Sequence, residues 1–242
     1  MIDRELDLST ADGLMNSFVT HPEEGGPFPV VLFYMDAPGK REELHDMARR
    51  IGTVGYFVVL PNLYYRAVRE FDASADVGTR GADIRELIAS LDFDRIASDT
   101  RAMLDFAAAD PMADRSRVGA VGYCMSGAFA YAMAGMFPDD IQAGASIYGV
   151  RLHGHGSPSH LTDAVKGELY FACAELDEYA PTEMVAGLER HLLEVGTNAR
   201  VEWYPGVHHG FAFPSRAGAY DKAAAERHYE RLFALFERNL KR

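Results

Sequence analysis

The chain has 242 residues, 48% of them hydrophobic, which is enough for one large domain with a well-buried core. Its 24 basic and 36 acidic residues give a formal net charge of −12 without long runs of either sign, which argues against nucleic-acid binding and attraction to anionic membranes. No apolar stretch is long enough to span a bilayer, and the first residues do not resemble a signal peptide. We therefore expect a soluble cytoplasmic protein with a single domain over residues 1–242.

The chain begins with alternating apolar residues that turn at Asp12-Gly13, a pattern that predicts a β-hairpin. Continuous apolar runs follow, each typical of a strand that is buried on both faces. These predicted strands cover residues 29–34, 57–60 (stopped by Pro61), 117–121, 143–148, 169–173 and 201–204. Because helical patterns separate the runs, we expect an α/β fold with a mostly parallel sheet and helices on both faces.

The helical patterns are apolar stripes at a spacing of three or four residues. Asp94 is the expected N-cap of a helix that ends near residue 109, and the last helix should close over the sheet. Residues 62–91 are less regular and fit either a substrate wall or a solvated connection. The stripe of the last helix comprises Tyr229, Leu232, Phe233, Phe236 and Leu240.

A sharp strand-to-helix turn is predicted at Cys124, between a valine-rich run and a series of small residues. A nucleophile on such a turn is exposed near a helix N-terminus, which favours negative charge. The elbow pattern places small residues two positions on either side, here Gly122 and Ser126. Ser126 is a poor nucleophile candidate because Cys124 would then occupy one of these small positions. The alternative is that Cys124 is simply a buried cysteine.

A cysteine nucleophile needs a base and an acid that orients the base. Asp177 follows the strand that contains Cys173, and the adjacent His208 and His209 follow the strand around Trp203. The order of nucleophile, acid and histidine, each after a predicted strand, is that of α/β-hydrolases. The agreement of these three positions favours a catalytic triad over a buried structural cysteine.

The segments 122–127, 176–181 and 204–211 together resemble the dienelactone hydrolase family, also called carboxymethylenebutenolidases. The resemblance covers nearly the whole chain and implies an α/β-hydrolase that opens cyclic enol-lactones with a Cys–His–Asp triad. By position in these motifs, the triad falls on Cys124, Asp177 and His209 rather than His208. The implied substrate is a small ester or lactone, attacked by the thiolate to form a thioester.

The resemblance also implies a carboxylate after the first buried strand, at Asp36, where the family typically has glutamate. In the family this group contacts the resting thiol. The alternative for Asp36 is a turn or cap residue before Pro38. The implied oxyanion donors are the backbone N–H groups of Met125 and Ala37.

Family members that take carboxylated dienelactones present arginines to the substrate, one of them four residues after the histidine, where this chain has Phe213. The dienelactone itself is therefore not assured as the substrate. Arg216 is nearby, and further arginines lie in the irregular passage. The candidate substrate-binding residues are Phe211, Phe213, Tyr123 and Arg216, with Tyr64, Tyr65 and Tyr179 as further aromatic candidates.

The pattern His153-x-His155 is too incomplete to predict a metal site, and no cofactor is predicted. Two other functions remain open. One is a general carboxylesterase for activated esters, which in a serine-type version would use Ser126. The other is an α/β-hydrolase scaffold that binds a small molecule without turning it over.

Overall fold

The computed structural model describes residues 1–73 and 83–241, in two compact units, Met1–Val118 and Gly119–Arg242. Strand β5 (Ala113–Tyr123) contains the boundary between the units. Arg80, which belongs to the irregular passage, lies outside the described residues. The single domain expected over the whole chain stays a prediction.

The first unit contains four further strands, in the spatial order β1-β2-β4-β3. The predicted hairpin is confirmed, because β1 and β2 are antiparallel with Thr10 opposite Gly13. β2 is antiparallel to β4, and β3 is parallel to β4. The strands are β1 (Ile2–Thr10), β2 (Gly13–His21), β3 (Phe28–Tyr34) and β4 (Phe57–Pro61), and the helices are α1 (Glu42–Thr53), α2 (Ile84–Ala89) and α3 (Phe93–Ala109).

Two boundaries in this unit differ from expectation. The N-cap of α3 is Asp92, whose side chain accepts a hydrogen bond from the Arg95 N–H at 2.8 Å, whereas Asp94 lies in the first turn. An aspartate is favourable both at the N-cap and in the first turn of a helix. Only the backbone conformation shows which of the two residues is the N-cap. Pro61 is the last residue of β4 rather than the residue after it. A proline is tolerated at a strand end because one missing N–H costs little there.

The second unit contains the end of β5, then three strands in the order β5-β6-β7-β8. β6, β7 and β8 are parallel to one another. The elements after β5 are α4 (Met125–Met136), β6 (Ile141–Ile147), a 3-10 helix (Pro158–Ala164), β7 (Glu168–Leu176), α5 (Thr182–Val195), β8 (Ala199–His208) and α6 (Lys222–Leu240). Helix α4 is buried from its first residue to Gly135, which explains why its sequence is apolar on every side.

Strand β8 is longer than predicted, since it continues through Pro205 and Gly206 to His208. The register shifts between Ala174 and Leu176 of β7, where three residues of β8 lie opposite one residue of β7, and the pairing then resumes with Leu176 opposite His208. The Glu175 side chain accepts a hydrogen bond from the Gly206 N–H at 2.7 Å. The Pro-Gly pair therefore marks an irregularity within the strand and not its end.

These elements confirm the α/β fold class with a mostly parallel sheet. On α6 the predicted apolar stripe is buried except at Phe233, which is half-buried, while Leu235 is fully buried. Across residues 1–73 and 83–241, no helix combines the length and the apolar character that crossing a bilayer requires.

Candidate active site

Cys124 lies at the turn between β5 and α4 in a conformation that non-glycine residues rarely adopt, with φ 57° and ψ −123°. Such a backbone costs about 1–3 kcal/mol and persists only where the surroundings enforce it. Here the Cys124 N–H donates to the Ile147 carbonyl at 3.1 Å, and its carbonyl accepts from Gly127 at 3.1 Å and Val150 at 3.2 Å. Cys124 is half-buried. This is the predicted elbow geometry.

The glycines around the turn have steric reasons to be glycine. A Cβ at Gly122 would lie 1.9 Å from the Ser126 carbonyl oxygen, and one at Gly127 would lie 2.4 Å from Ser146 Oγ. The sequence pattern requires a small residue at position 126, where close packing was expected. In the structure Gly127 makes a close contact of this kind. Ser126 itself is completely buried in the first turn of α4.

Asp177 and His209, from the ends of neighbouring strands β7 and β8, form a buried hydrogen bond. His209 Nδ1 lies 2.8 Å from Asp177 Oδ2. The other carboxylate oxygen, Oδ1, accepts from the backbone N–H groups of Tyr179 at 2.9 Å and Ala180 at 3.1 Å. The carboxylate is thus fixed by the start of the following loop and orients the imidazole ring. His208, by contrast, is exposed.

The protonation of His209 depends on its two neighbours. Burial lowers its pKa, but the hydrogen bond to Asp177 and the interaction with Cys124 outweigh burial and raise the pKa from 6.5 to about 9. The Nε2 atom is buried and makes no hydrogen bond of standard geometry within the described part of the chain. Because Cys124 contributes to this pKa, the histidine lies within electrostatic reach of the thiol.

Two tyrosine rings flank the imidazole edge to face. The Tyr148 and Tyr179 ring centroids lie 5.0 Å and 4.9 Å from that of His209. Tyr148 is buried with a positive φ of 37°, whereas Tyr179 is 63% exposed. Tyr179 therefore presents aromatic surface to solvent next to the histidine.

The other thiol, Cys173, lies inside β7 and is 4% exposed. Burial, together with the negative charges of Glu189 and Asp177, raises its pKa to about 12. A thiol with so high a pKa carries almost no thiolate at neutral pH and is a poor nucleophile. Of the two cysteines, Cys124 is therefore the better candidate nucleophile.

Met125, an expected oxyanion donor, is the first residue of α4. Ala37 and Asp36 lie in the first unit, directly after β3. The Ala37 carbonyl accepts a hydrogen bond from the Tyr64 hydroxyl at 2.9 Å, which fixes that peptide. The oxyanion roles of Met125 and Ala37 stay predictions.

Asp36 is completely buried and forms a two-point ion pair with Arg41. Arg41 also contacts the Glu43 carboxylate at 2.8 Å and the Gly39 carbonyl at 3.1 Å. Burial lowers the pKa of Arg41, but Asp36 and Glu43 outweigh burial and raise it. Asp36 is therefore more than a turn residue, while its contact with the thiol stays a prediction.

The predicted substrate-binding aromatics lie in the core. Phe211, Phe213 and Tyr123 have no exposed surface. Arg216 stacks on Phe213, with its guanidinium carbon 5.2 Å from the ring centroid, and lies against Gly210. Arg216 is thus adjacent to the turn that carries His209. The substrate-binding roles of these four residues stay predictions.

Two arginines of the irregular passage, Arg66 and Arg69, form ion pairs with aspartates. Arg66 pairs with the buried Asp99 and with Asp12, and Arg69 pairs with Asp7. The ring of His153 lies 5.4 Å from that of His191, and His155 is exposed. No group of three or more potential metal ligands is present in residues 1–73 and 83–241.

Sequence reasoning did not single out His228, a fully buried histidine on α6 whose Nε2 lies 3.1 Å from the Tyr123 hydroxyl. It precedes Leu232 by one helical turn, so the apolar stripe of α6 could have placed it on the buried face.

Comparisons with known proteins identify the family of the chain. The model of the dienelactone hydrolase family matches residues 15–240. Carboxymethylenebutenolidase 1 of Cupriavidus pinatubonensis is 28% identical over 196 residues, which cover 81% of this chain and 80% of that protein.

Solved structures show the same fold. A dienelactone hydrolase-like promiscuous phosphotriesterase from metagenomic libraries superposes with a TM-score of 0.82 at 19% identity, over 99% of this chain and 98% of the other. A Klebsiella pneumoniae protein reaches a TM-score of 0.86 at 22% identity, over 97% and 98%. The chain therefore belongs to the dienelactone hydrolase family of ester- and lactone-cleaving hydrolases.

Proposed function

We propose that the protein hydrolyses a small ester or lactone through a thioester on Cys124, with His209 as base and Asp177 as the acid that orients it. The observation that carries this proposal is the buried hydrogen bond between His209 and Asp177, on an imidazole whose pKa is raised by both Asp177 and Cys124. A cysteine on a strained elbow beside such a histidine is the arrangement that nucleophilic catalysis requires.

The first step is attack of the Cys124 thiolate on the substrate carbonyl, while the His209 imidazolium holds the proton. The backbone N–H groups of Met125 and Ala37 are the proposed oxyanion donors. The carbon–sulfur bond forms and the carbon–oxygen bond of the ester breaks, and His209 delivers its proton to the leaving oxygen. Water, deprotonated by His209, then cleaves the thioester and restores the thiol.

A thiolate expels activated oxygen leaving groups more readily than alkoxides or amines, which need strong protonation. We therefore expect enol esters, aryl esters and strained lactones, including dienelactone-like enol-lactones, to be better substrates than peptides or simple alkyl esters. No cofactor takes part in these steps. A cytoplasmic location belongs to the same proposal.

The test is steady-state hydrolysis of an aryl acetate by the wild type, Cys124→Ala, Ser126→Ala and the matched control Cys173→Ala. We expect loss of turnover in Cys124→Ala alone, with a Cys124 acetyl adduct detected by intact-protein mass spectrometry after rapid acid quenching. Loss in Ser126→Ala with retention in Cys124→Ala would instead indicate a serine-type esterase and refute the mechanism.

The non-catalytic alternative has a different outcome. A scaffold that only binds would hydrolyse neither aryl esters nor enol-lactones and would form no acyl adduct. It would also bind such compounds equally well after Cys124→Ala, which calorimetry measures directly.

A further inference from the structure

A buried hydrogen bond links the residue before Cys124 to the last helix. The Tyr123 hydroxyl lies 3.1 Å from His228 Nε2, and both residues are completely buried. The His228 ring also meets the Tyr123 ring edge to face, with centroids 5.8 Å apart. The elbow is therefore attached to α6 through a side chain as well as to β6 through its backbone.

The direction of this hydrogen bond follows from the other ring nitrogen. His228 Nδ1 contacts the Ala225 carbonyl oxygen, which can only accept, so Nδ1 carries the proton. In the neutral ring Nε2 is then an acceptor, and the Tyr123 hydroxyl donates to it. Both ring nitrogens are satisfied, and this fixes the ring orientation.

The same ring contacts the chain segment that follows the catalytic histidine. The His228 ring centroid lies 6.1 Å from that of Phe211, which is two residues beyond His209. Phe211 in turn packs edge to face on Tyr148, whose ring meets His209. One buried side chain thus contacts the neighbours of both the proposed nucleophile and the proposed base.

We propose that His228 is a positioning residue that, through Tyr123 and Phe211, holds Cys124 and His209 in their reactive arrangement. This inference rests on the proposed function, because it assumes that Cys124 and His209 react together. His228 touches neither the thiol nor the substrate in this role. Its effect is to restrict the elbow, whose unfavourable backbone at Cys124 requires such support.

Two variants remove the hydrogen bond between Tyr123 and His228 with little change in side-chain volume. Tyr123→Phe deletes only the donating hydroxyl, and His228→Leu deletes the acceptor. We expect either change to lower kcat about tenfold with KM changed less than about twofold, since small misplacements of a nucleophile slow chemistry more than binding. His228→Gln, which keeps an amide oxygen as acceptor, should recover part of the activity.

Tyr131→Phe is the matched control. Tyr131 is equally buried in the second unit, and its hydroxyl forms a buried hydrogen bond with Thr162 Oγ1, away from Cys124 and His209. It should lose as much thermal stability as Tyr123→Phe while retaining full activity. A merely structural role for the Tyr123–His228 bond predicts instead that both tyrosine variants behave alike.

The decisive readout needs no substrate. The rate at which iodoacetamide alkylates Cys124 is measured by intact-protein mass spectrometry from pH 5 to 9. At pH 7 this rate should be about tenfold lower in Tyr123→Phe than in wild type and Tyr131→Phe. If wild-type Cys124 is alkylated fast and Tyr123→Phe and His228→Leu show the same rate and pH profile, the inference about His228 is overturned, whereas the proposed function is not. Wild-type Cys124 that reacts no faster than glutathione, in a protein that also hydrolyses no aryl acetate, would overturn the proposed function and this inference together.

If His228→Leu fails to fold, Tyr123→Phe and His228→Gln still decide the matter, because each retains most of the packing. Equal kcat in Tyr123→Phe and wild type, with normal unfolding midpoints, contradicts the inference.

Discussion

Gly122 lies so close to Ser126 that a Cβ atom at position 122 would be 1.9 Å from the Ser126 carbonyl oxygen. The obstacle is backbone of the first turn of α4, which cannot rotate away as a side chain would. Gly122 therefore allows the strand to approach the helix that follows Cys124.

Gly122→Ala should lower the free energy of unfolding by about 3 kcal/mol and abolish ester hydrolysis, because the elbow must open to admit the methyl group. Urea denaturation and the aryl acetate assay measure the two effects. Gly187→Ala is the control: the nearest neighbour of its Cβ would be the half-buried His153 ring, at 2.6 Å, so we expect a change below about 1 kcal/mol and normal activity. Equal effects of the two variants would contradict this explanation.

Asp177→Asn should reduce kcat about 10²- to 10⁴-fold with little change in KM. An amide can hold the wrong tautomer of His209 and cannot stabilise its positive charge. Glu178→Gln, a neighbouring exposed carboxylate, serves as control and should retain activity. Activity of Asp177→Asn within about threefold of wild type would remove Asp177 from the mechanism.

Stability should depend on pH through His209. The pKa of His209 in the folded protein, about 9, exceeds the ordinary value of 6.5. Its contribution to the free energy of unfolding is therefore fully present below pH 6.5 and disappears as pH rises through 9. Relative to His209→Gln, the wild type should lose at most about 3 kcal/mol of unfolding free energy between pH 6 and 10. Urea melts of both proteins at several pH values measure this difference. A difference between the two proteins that does not change with pH would show that the imidazolium is not selectively stabilised.

Arg41→Met should destabilise the protein by about 3 kcal/mol, because it removes the guanidinium that forms a two-point ion pair with the buried carboxylate of Asp36. The control is Arg69→Met, which breaks an exposed ion pair with Asp7 and should leave the unfolding midpoint essentially unchanged. Thermal melts compare the two. If Arg41→Met were as stable as Arg69→Met, the ion pair between Arg41 and Asp36 would contribute nothing to stability.

The alternation of strands and helices was predictable because buried parallel strands have continuous apolar runs, and the elbow was predictable because Gly122 and Cys124 occur in a local pattern. The extent of β8 was not predictable. Pro205 and Gly206 usually signal a turn, and only the pairing of Leu176 with His208 shows that the strand continues beyond them.

Side-chain orientation was the second feature that could not be predicted from the sequence. Phe211, Phe213 and Tyr123 follow or precede residues of the triad motifs in sequence, yet all three are buried, whereas Tyr179 presents its ring to solvent beside His209. The direction of an aromatic ring near a strand end depends on contacts from distant helices. The contact of His228 with Tyr123 joins positions 105 residues apart, and neither local pattern indicates it.

The environments of the two cysteines have a practical consequence. In the native protein Cys124 is accessible, whereas Cys173 is sealed inside β7 with a pKa of about 12. Cys173 should therefore react with a thiol probe only when β7 unfolds. Its slow labelling then reports unfolding in the same sample in which the labelling of Cys124 reports the state of the proposed active site. Cys173 thus serves as an internal probe of folding that needs no added tag. Its labelling distinguishes a chemically inactivated enzyme from a denatured one.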